Sequence, residues 1–281
     1  MNINIIKPKN PVLKNYVQYF LFFENGSKNN VTYTTFPNNN LCLAIYKNNQ
    51  VEYRNGSDSN TCNISDGKKS FVSRLYGLHK TPFLVNIQSS LDQISILFRP
   101  AALRLFTEES HRNLMSDDDV FNNVFHSKRS GFLEKLFEEK NPFQRANLLE
   151  TFLLERLAKA ATATKINRAF QVISLNDAEQ LSVERITKII GVNESTLYRM
   201  FASCLGQSPK SYLKTVRFRK ALNEVVENKR TNFTGIAYTN NFFDQSHFIR
   251  DFKTFTGYTP KQLNETVSIA QNELVWVAQK S

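Results

Sequence analysis

Arg199 and Arg250 have the most telling spacing in this 281-residue chain. Each stands in the same phrase, S-x-[LF]-x-R-x-F-x-x-x-x-G-x-[ST]-P, once from Ser195 to Pro209 and again from Ser246 to Pro260, an offset of 51 positions. A guanidinium is a planar fork of donors. It grips a phosphate, or takes O6 and N7 of one guanine together. The sequence leaves these two uses open. A single arginine on a short helix is most simply a solvated charge. Two at equivalent places of a duplicated unit point to a partner that repeats, and duplex DNA repeats at every turn.

A helical wheel at 100° per residue separates two jobs within the phrase. In the first copy Leu197, Met200, Phe201 and Cys204 share one face, while Ser195, Tyr198, Arg199 and Ala202 share the other. In the second, Phe248, Asp251, Phe252 and Phe255 lie opposite Ser246, Ile249, Arg250 and Lys253. Asp251 is the misfit, at the edge of an apolar stripe. The aromatic residues read as core, and the arginines point away from it.

The surrounding residues supply elements to hold these helices. Val183–Ile190 reads as a short amphipathic helix capped by Ser182, with Gly191 as its left-handed stop. Asn193 then caps a helix starting at Glu194, which completes a helix-turn-helix plan. Ser208 and Pro209 open a long helix to about Asn228, apolar along Tyr212, Leu213, Val216, Leu222, Val225 and Val226. Lys214, Arg217, Arg219 and Lys220 make it basic. Such a helix could hold two readers at the roughly 34 Å that separates successive major grooves.

The segment from Ile236 to Pro260 resembles the signature of the AraC/XylS family of bacterial transcription regulators, I-A-x-x-x-G-F-x-x-x-S-x-F-x-R-x-F-K-x-x-x-G-x-[ST]-P. The resemblance extends over about 165–264. It implies two helix-turn-helix subdomains on a linker helix, each inserting one helix into promoter DNA. Carried over position by position, the base-facing candidates are Ser195, Tyr198 and Arg199, then Gln245, Ser246 and Arg250, with Lys253 on the same face. Gln245 comes from the resemblance, since the wheel leaves it at the edge. The family's turn glycine is Asn241 here, the next-best residue for a left-handed turn. Transcription activation, with RNA polymerase as a partner, is the commoner outcome in such a family.

Upstream, short runs rich in aromatic and β-branched residues recur: Tyr16–Phe23, Val31–Phe36, Leu41–Tyr46, Phe71–Tyr76, Phe83–Gln88 and Ile94–Phe98. Polar punctuation such as Asn55-Gly56-Ser57 and Asp66-Gly67 separates them, which predicts a barrel or sandwich. After Pro100, helices are expected over Ala101–Phe106, Asp117–Phe125, Phe132–Glu139 and Pro142–Ala163. The fold class is therefore α+β and multidomain: residues 1–160 N-terminal (β to about 100, then helices), 165–265 all-α, and 266–281 a tail. Ala160–Thr164 reads as the boundary. Gln18–Glu24 and Ile94–Phe106 look like the sensor domain of an AraC-type subgroup. That implies a cupin-like β-barrel, a small-molecule effector within it, and a homodimer through helices 130–160. Phe22, Phe36, Leu43, Tyr46 and Phe98 are candidate pocket residues, although barrel core is the plainer role for each.

Net charge is +11, with 20 basic against 15 acidic residues over 1–164 and 15 against 9 over 165–265. This favours a polyanionic partner only modestly. Cys42, Cys62 and Cys204 show no paired spacing, and His79, His111, His126 and His247 are scattered. Asp117-Asp118-Asp119 reads as a helix-start run rather than a metal site. No cofactor, metal or catalytic constellation is expected. The start of the chain lacks an apolar leader, and Tyr19–Phe23 is far too short to cross a bilayer, so a cytoplasmic protein is expected. Two other classes stay in view: a non-specific architectural DNA binder and a cupin-type enzyme.

Overall fold

The computed structural model describes residues 2–26, 30–55, 60–100, 102–127, 131–157, 165–175, 182–228, 232–267, 269–271 and 274–278. Among the described residues nine strands form one sheet in the order β1-β2-β7-β4-β5-β6-β3-β9-β8, curled into a half-barrel. The strands are β1 (Asn2–Ile6), β2 (Val17–Asn25), β3 (Val31–Thr35), β4 (Leu41–Asn55), β5 (Asn60–Gly77), β6 (Phe83–Ile87), β7 (Leu91–Phe98), β8 (Ile269–Gln271) and β9 (Leu274–Ala278). Neighbours pair antiparallel, except that β5 runs parallel to β6.

The strands read as continuous apolar runs because both faces of the sheet are buried. Side chains alternate between faces, so each strand feeds two cores. In β2, Tyr19, Leu21 and Phe23 enter the barrel interior, while Phe20 and Phe22 face the helices. Leu41, Leu43 and Ile45 of β4, and Ile94, Ile96 and Phe98 of β7, also pack on the helix side. The five pocket candidates therefore divide. Phe36 and Tyr46 line the barrel cavity, whereas Phe22, Leu43 and Phe98 lie on the far side of the sheet wall.

Strands β4 and β5 run much further than their apolar stretches. Asp66 and Gly67 lie inside β5 rather than in a turn, opposite a bulge where the register slips between Lys47 and Asn49. A Cβ on Gly67 would stand 2.4 Å from the Asn49 backbone, so the bulge needs glycine there. Strands β1, β8 and β9 were not foreseen. The last two show that the tail folds back onto the sheet through β3.

On the helix side lie α1 (His111–Ser116), α2 (Val120–Phe125), α3 (Phe132–Glu138) and α4 (Pro142–Leu157). The helix expected over Ala101–Phe106 is a short 3-10 turn, Ala102–Leu105. The helix expected to Ala163 is described as far as Leu157, and the Ala160–Thr164 boundary lies outside the described residues. The apolar face of α4 is spent within the chain, with Leu149, Phe152 and Leu153 buried. Arg145, 1% exposed, fastens α4 to the sheet through two hydrogen bonds to Asp92, at 2.9 and 3.0 Å. Its Nε donates to the Glu139 carbonyl at 2.7 Å.

The remaining helices are α5 (Lys165–Leu175), α6 (Val183–Ile190), α7 (Glu194–Leu205), α8 (Pro209–Asn228), α9 (Phe233–Thr239), α10 (Gln245–Thr256) and α11 (Pro260–Thr266). No described helix is long and apolar enough to cross a membrane.

Candidate nucleic-acid interface

Each helix-turn-helix unit is assembled by local capping. Ser182 accepts the Arg185 amide at 3.1 Å to start α6, and Gly191 stops it at φ 68°. Asn193 then accepts the Thr196 amide at 2.8 Å to start α7. In the second unit Asn232 opens α9, and Asp244 caps α10 by accepting the His247 amide at 2.6 Å. Asn241 does adopt the left-handed backbone, at φ 55°, and its carbonyl accepts Arg217 Nη1 at 3.0 Å. Between these helix pairs the first unit has three residues, 191–193, and the second has five, 240–244.

Linker helix α8 belongs to both units. Tyr212 packs edge-on against Phe170 and Phe201 in the first core. Phe218 stacks on Phe255 and meets Phe252 in the second. The wheel's division of labour is seen in both copies except at Ile249, which the wheel puts on the outer face and which is half-buried against the second core. Leu197, Phe201, Phe248, Phe252 and Phe255 are buried, and Met200 is half-buried. Ser195, Tyr198 and Arg199 on α7 are exposed, as are Gln245, Ser246, Arg250 and Lys253 on α10. The Gln245 side chain accepts a hydrogen bond from the Thr234 hydroxyl at 2.6 Å, which fixes its direction.

Asp251, the misfit, is a buried acid that joins α10 to the linker helix. Lys214 Nζ reaches it at 2.9 Å, Arg217 at 3.8 Å and His247 at 3.4 Å. Burial lowers the Arg217 pKa, and Asp251 opposes that shift.

Sequence reasoning overlooked two exposed aromatic rings on the second unit, Phe243 at 87% and Tyr238 at 64%. Phe242 and Phe243 lie side by side in the turn between α9 and α10. Phe242 is the buried member, and Phe243 stands beside the N-terminus of α10, where a groove-reading helix makes its contacts. The far end of α7 is occupied differently. Arg104 donates to the Ser203 hydroxyl at 2.7 Å and to Cys204 Sγ at 3.4 Å. This docks the first unit on the N-terminal region and leaves the start of α7 exposed.

Two helix-turn-helix units that share one linker helix make up the C-terminal region. The family described as "Helix-turn-helix domain" matches residues 186–266, and a "Domain of unknown function (DUF6597)" matches residues 5–118. The chain thus carries a C-terminal helix-turn-helix domain of the AraC type. An uncharacterized HTH-type transcriptional regulator of Staphylococcus aureus is 34% identical over 110 residues, which cover 39% of this chain and 15% of that protein. The Msm operon regulatory protein of Streptococcus mutans is 27% identical over 43% of this chain and 44% of its own length. The chain thus matches less than half of each of these two relatives. Among solved structures, the C-terminal domain of AraT, a response regulator from Geobacillus stearothermophilus, is 25% identical with a TM-score of 0.35, covering 39% of this chain and 90% of that one. ToxT from Vibrio cholerae, solved with an unsaturated fatty acid bound, covers 86% of this chain and 94% of its own at 13% identity and a TM-score of 0.45.

Proposed function

We propose that this protein is a sequence-specific regulator of transcription that reads two successive major grooves of promoter DNA with α7 and α10. The observation that carries the reading is the repeated exposed face, Ser195-Tyr198-Arg199 and Gln245-Ser246-Arg250-Lys253, set on two capped helices that one linker helix holds together. Arg199 and Arg250 supply the forked contacts, and Lys253 adds phosphate attraction. The N-terminal half-barrel takes a small-molecule effector. The protein acts in the cytoplasm as an activator that engages RNA polymerase, and it is not an enzyme. A homodimer through helices 130–160 would use what α4 leaves outside, chiefly Phe143, which is 59% exposed.

The test starts from an operator selected out of random duplex DNA. Arg199→Ala and Arg250→Ala are each expected to weaken operator binding by about 1–3 kcal/mol without lowering the unfolding temperature. Full operator affinity in both variants overturns the reading. Failure of the selection to enrich any sequence, with a steep salt dependence, marks an architectural binder instead.

A further inference from the structure

Trp276 comes from the chain beyond the second reader, yet it sits inside the half-barrel. It is 4% exposed and stacks on Tyr33 with ring centres 4.1 Å apart and planes 19° apart. Phe23 lies 5.5 Å away. Strand β9 holds it there through the pairs Thr35↔Trp276, Thr34↔Val277 and Tyr33↔Ala278. Alternation along β9 points the next side chain the other way. Val277 joins the core of the second reader with Phe248, Phe252 and Phe255. Phe36, just past β3, does both jobs at once: it lines the barrel cavity and meets Tyr258, next to Gly257 at the end of α10, with ring centres 6.5 Å apart.

A cavity of about 130 Å³ remains beside Trp276. An apolar space of about 150 Å³ takes one benzene ring, so a cavity of this size is limited to a single ring. The walls are aromatic, including Tyr33, Tyr46, Tyr76 and Phe83. Among the described residues that line it, none is Asp, Glu, Lys or Arg. Burial keeps the titratable groups there neutral. It raises the pKa of Tyr33, Tyr46 and Tyr76, pushes Cys42 up to about 12 and Cys62 up to about 11, and drops His79 to about 4. An ion placed here would be desolvated with no opposite charge beside it. One acceptor remains open. Gln93 gives its Nε2 hydrogen to Ser95 at 2.8 Å, while its buried Oε1 receives no donor.

We propose that this cavity binds a small, uncharged, single-ring aromatic molecule carrying a hydrogen-bond donor for Gln93, and that Trp276 transmits its presence through β9 to the second reader. The proposal rests on the reading of the half-barrel as an effector site, and it names that effector's chemistry and its route. A ring stacked beside Trp276 adds contacts to β9 and tightens it against β3. Val277 and Phe36 then stiffen the wall on which α10 packs.

Benzamide and its isosteric anion benzoate are the probes, used on the full chain at neutral pH. Calorimetry is expected to give at least about tenfold tighter binding for benzamide, since a buried charge without a partner is heavily penalised. Gln93→Met, which keeps the side-chain length and removes the acceptor, is expected to weaken benzamide about tenfold. Amide hydrogen exchange with benzamide bound is expected to slow over residues 274–278 and in α10. Benzoate binding as tightly as benzamide, no binding by either, or an undiminished Gln93→Met affinity overturns the ligand assignment. Bound benzamide with unchanged exchange in β9 and α10 overturns the transmission. Neither readout contains DNA, so a failure of the DNA reading would leave both results standing, and the reverse also holds.

Discussion

Replacing Asp251 by asparagine tests how the second reader is aimed, because the change leaves the exposed face of α10 untouched. The carboxylate is 9% exposed, and Lys214 Nζ lies 2.9 Å from it. At an effective dielectric near 20, two unit charges at that distance attract by about 6 kcal/mol. Drying the carboxylate offsets most of this. Lys214, 44% exposed, also keeps much of its water when unpaired. Exposed pairs contribute up to about 1 kcal/mol, and breaking a fully buried pair costs about 3–5 kcal/mol. Asp251 falls between these limits, so Asp251→Asn is expected to destabilise the protein by about 2 kcal/mol. Urea unfolding followed by far-ultraviolet circular dichroism measures this. A cycle with Lys214→Met should return a coupling of about 1 kcal/mol. Operator affinity should fall as well, although the exposed side chains of Gln245, Ser246, Arg250 and Lys253 are all retained. A loss below about 0.5 kcal/mol with no measurable coupling would refute the reasoning, because the aromatic face alone would then hold α10 on the linker helix.

Asn241→Gly should relieve the left-handed backbone at φ 55° and stabilise the protein by about 0.5 kcal/mol, whereas Asn241→Val should cost about 1–2 kcal/mol; chemical denaturation distinguishes the two. His79 has its pKa lowered to about 4, below its usual range, so the unfolded chain takes up that proton at higher pH than the folded one. Its contribution to stability is complete above about pH 6.5 and fades as the pH falls towards 4, by about 3 kcal/mol in all, so His79→Gln should flatten the acid limb of a stability–pH curve. Phe243→Ala should leave the unfolding temperature in place, given 87% exposure, and weaken operator binding by about 1 kcal/mol through a lost apolar contact with a thymine methyl.

The parts of this molecule that were legible in the sequence are those where local chemistry decides. Ser182, Gly191, Asn193 and Ser208 announce helix ends because capping is settled within three or four residues. The wheel separated Leu197 and Phe201 from Arg199 because helical period and burial coincide there. In the half-barrel the same reasoning could find strands but not their phase. With both faces of the sheet buried, Phe22 and Phe23 look alike in sequence, and only the curl of the sheet sends one outwards and the other in. Long-range pairing was illegible too. Nothing in Leu274–Ala278 says that its partner is β3, more than two hundred residues earlier in the chain. Asp251 looked like an error of pattern, because its partners Lys214 and Arg217 lie on another helix.

The core of the first unit is continuous with that of the N-terminal helices. Leu197, Phe201 and Tyr212 belong to one apolar cluster that runs through α1–α4 to Leu41 and Phe98 on the outer wall of the sheet. A unit that shares its interior in this way does not melt separately. Heating should therefore take α6 and α7 apart in the same calorimetric step as the helices beneath them. A cavity made at Phe98, far from any groove, would appear as weaker hold on DNA at low concentrations, simply because fewer molecules in the population are intact.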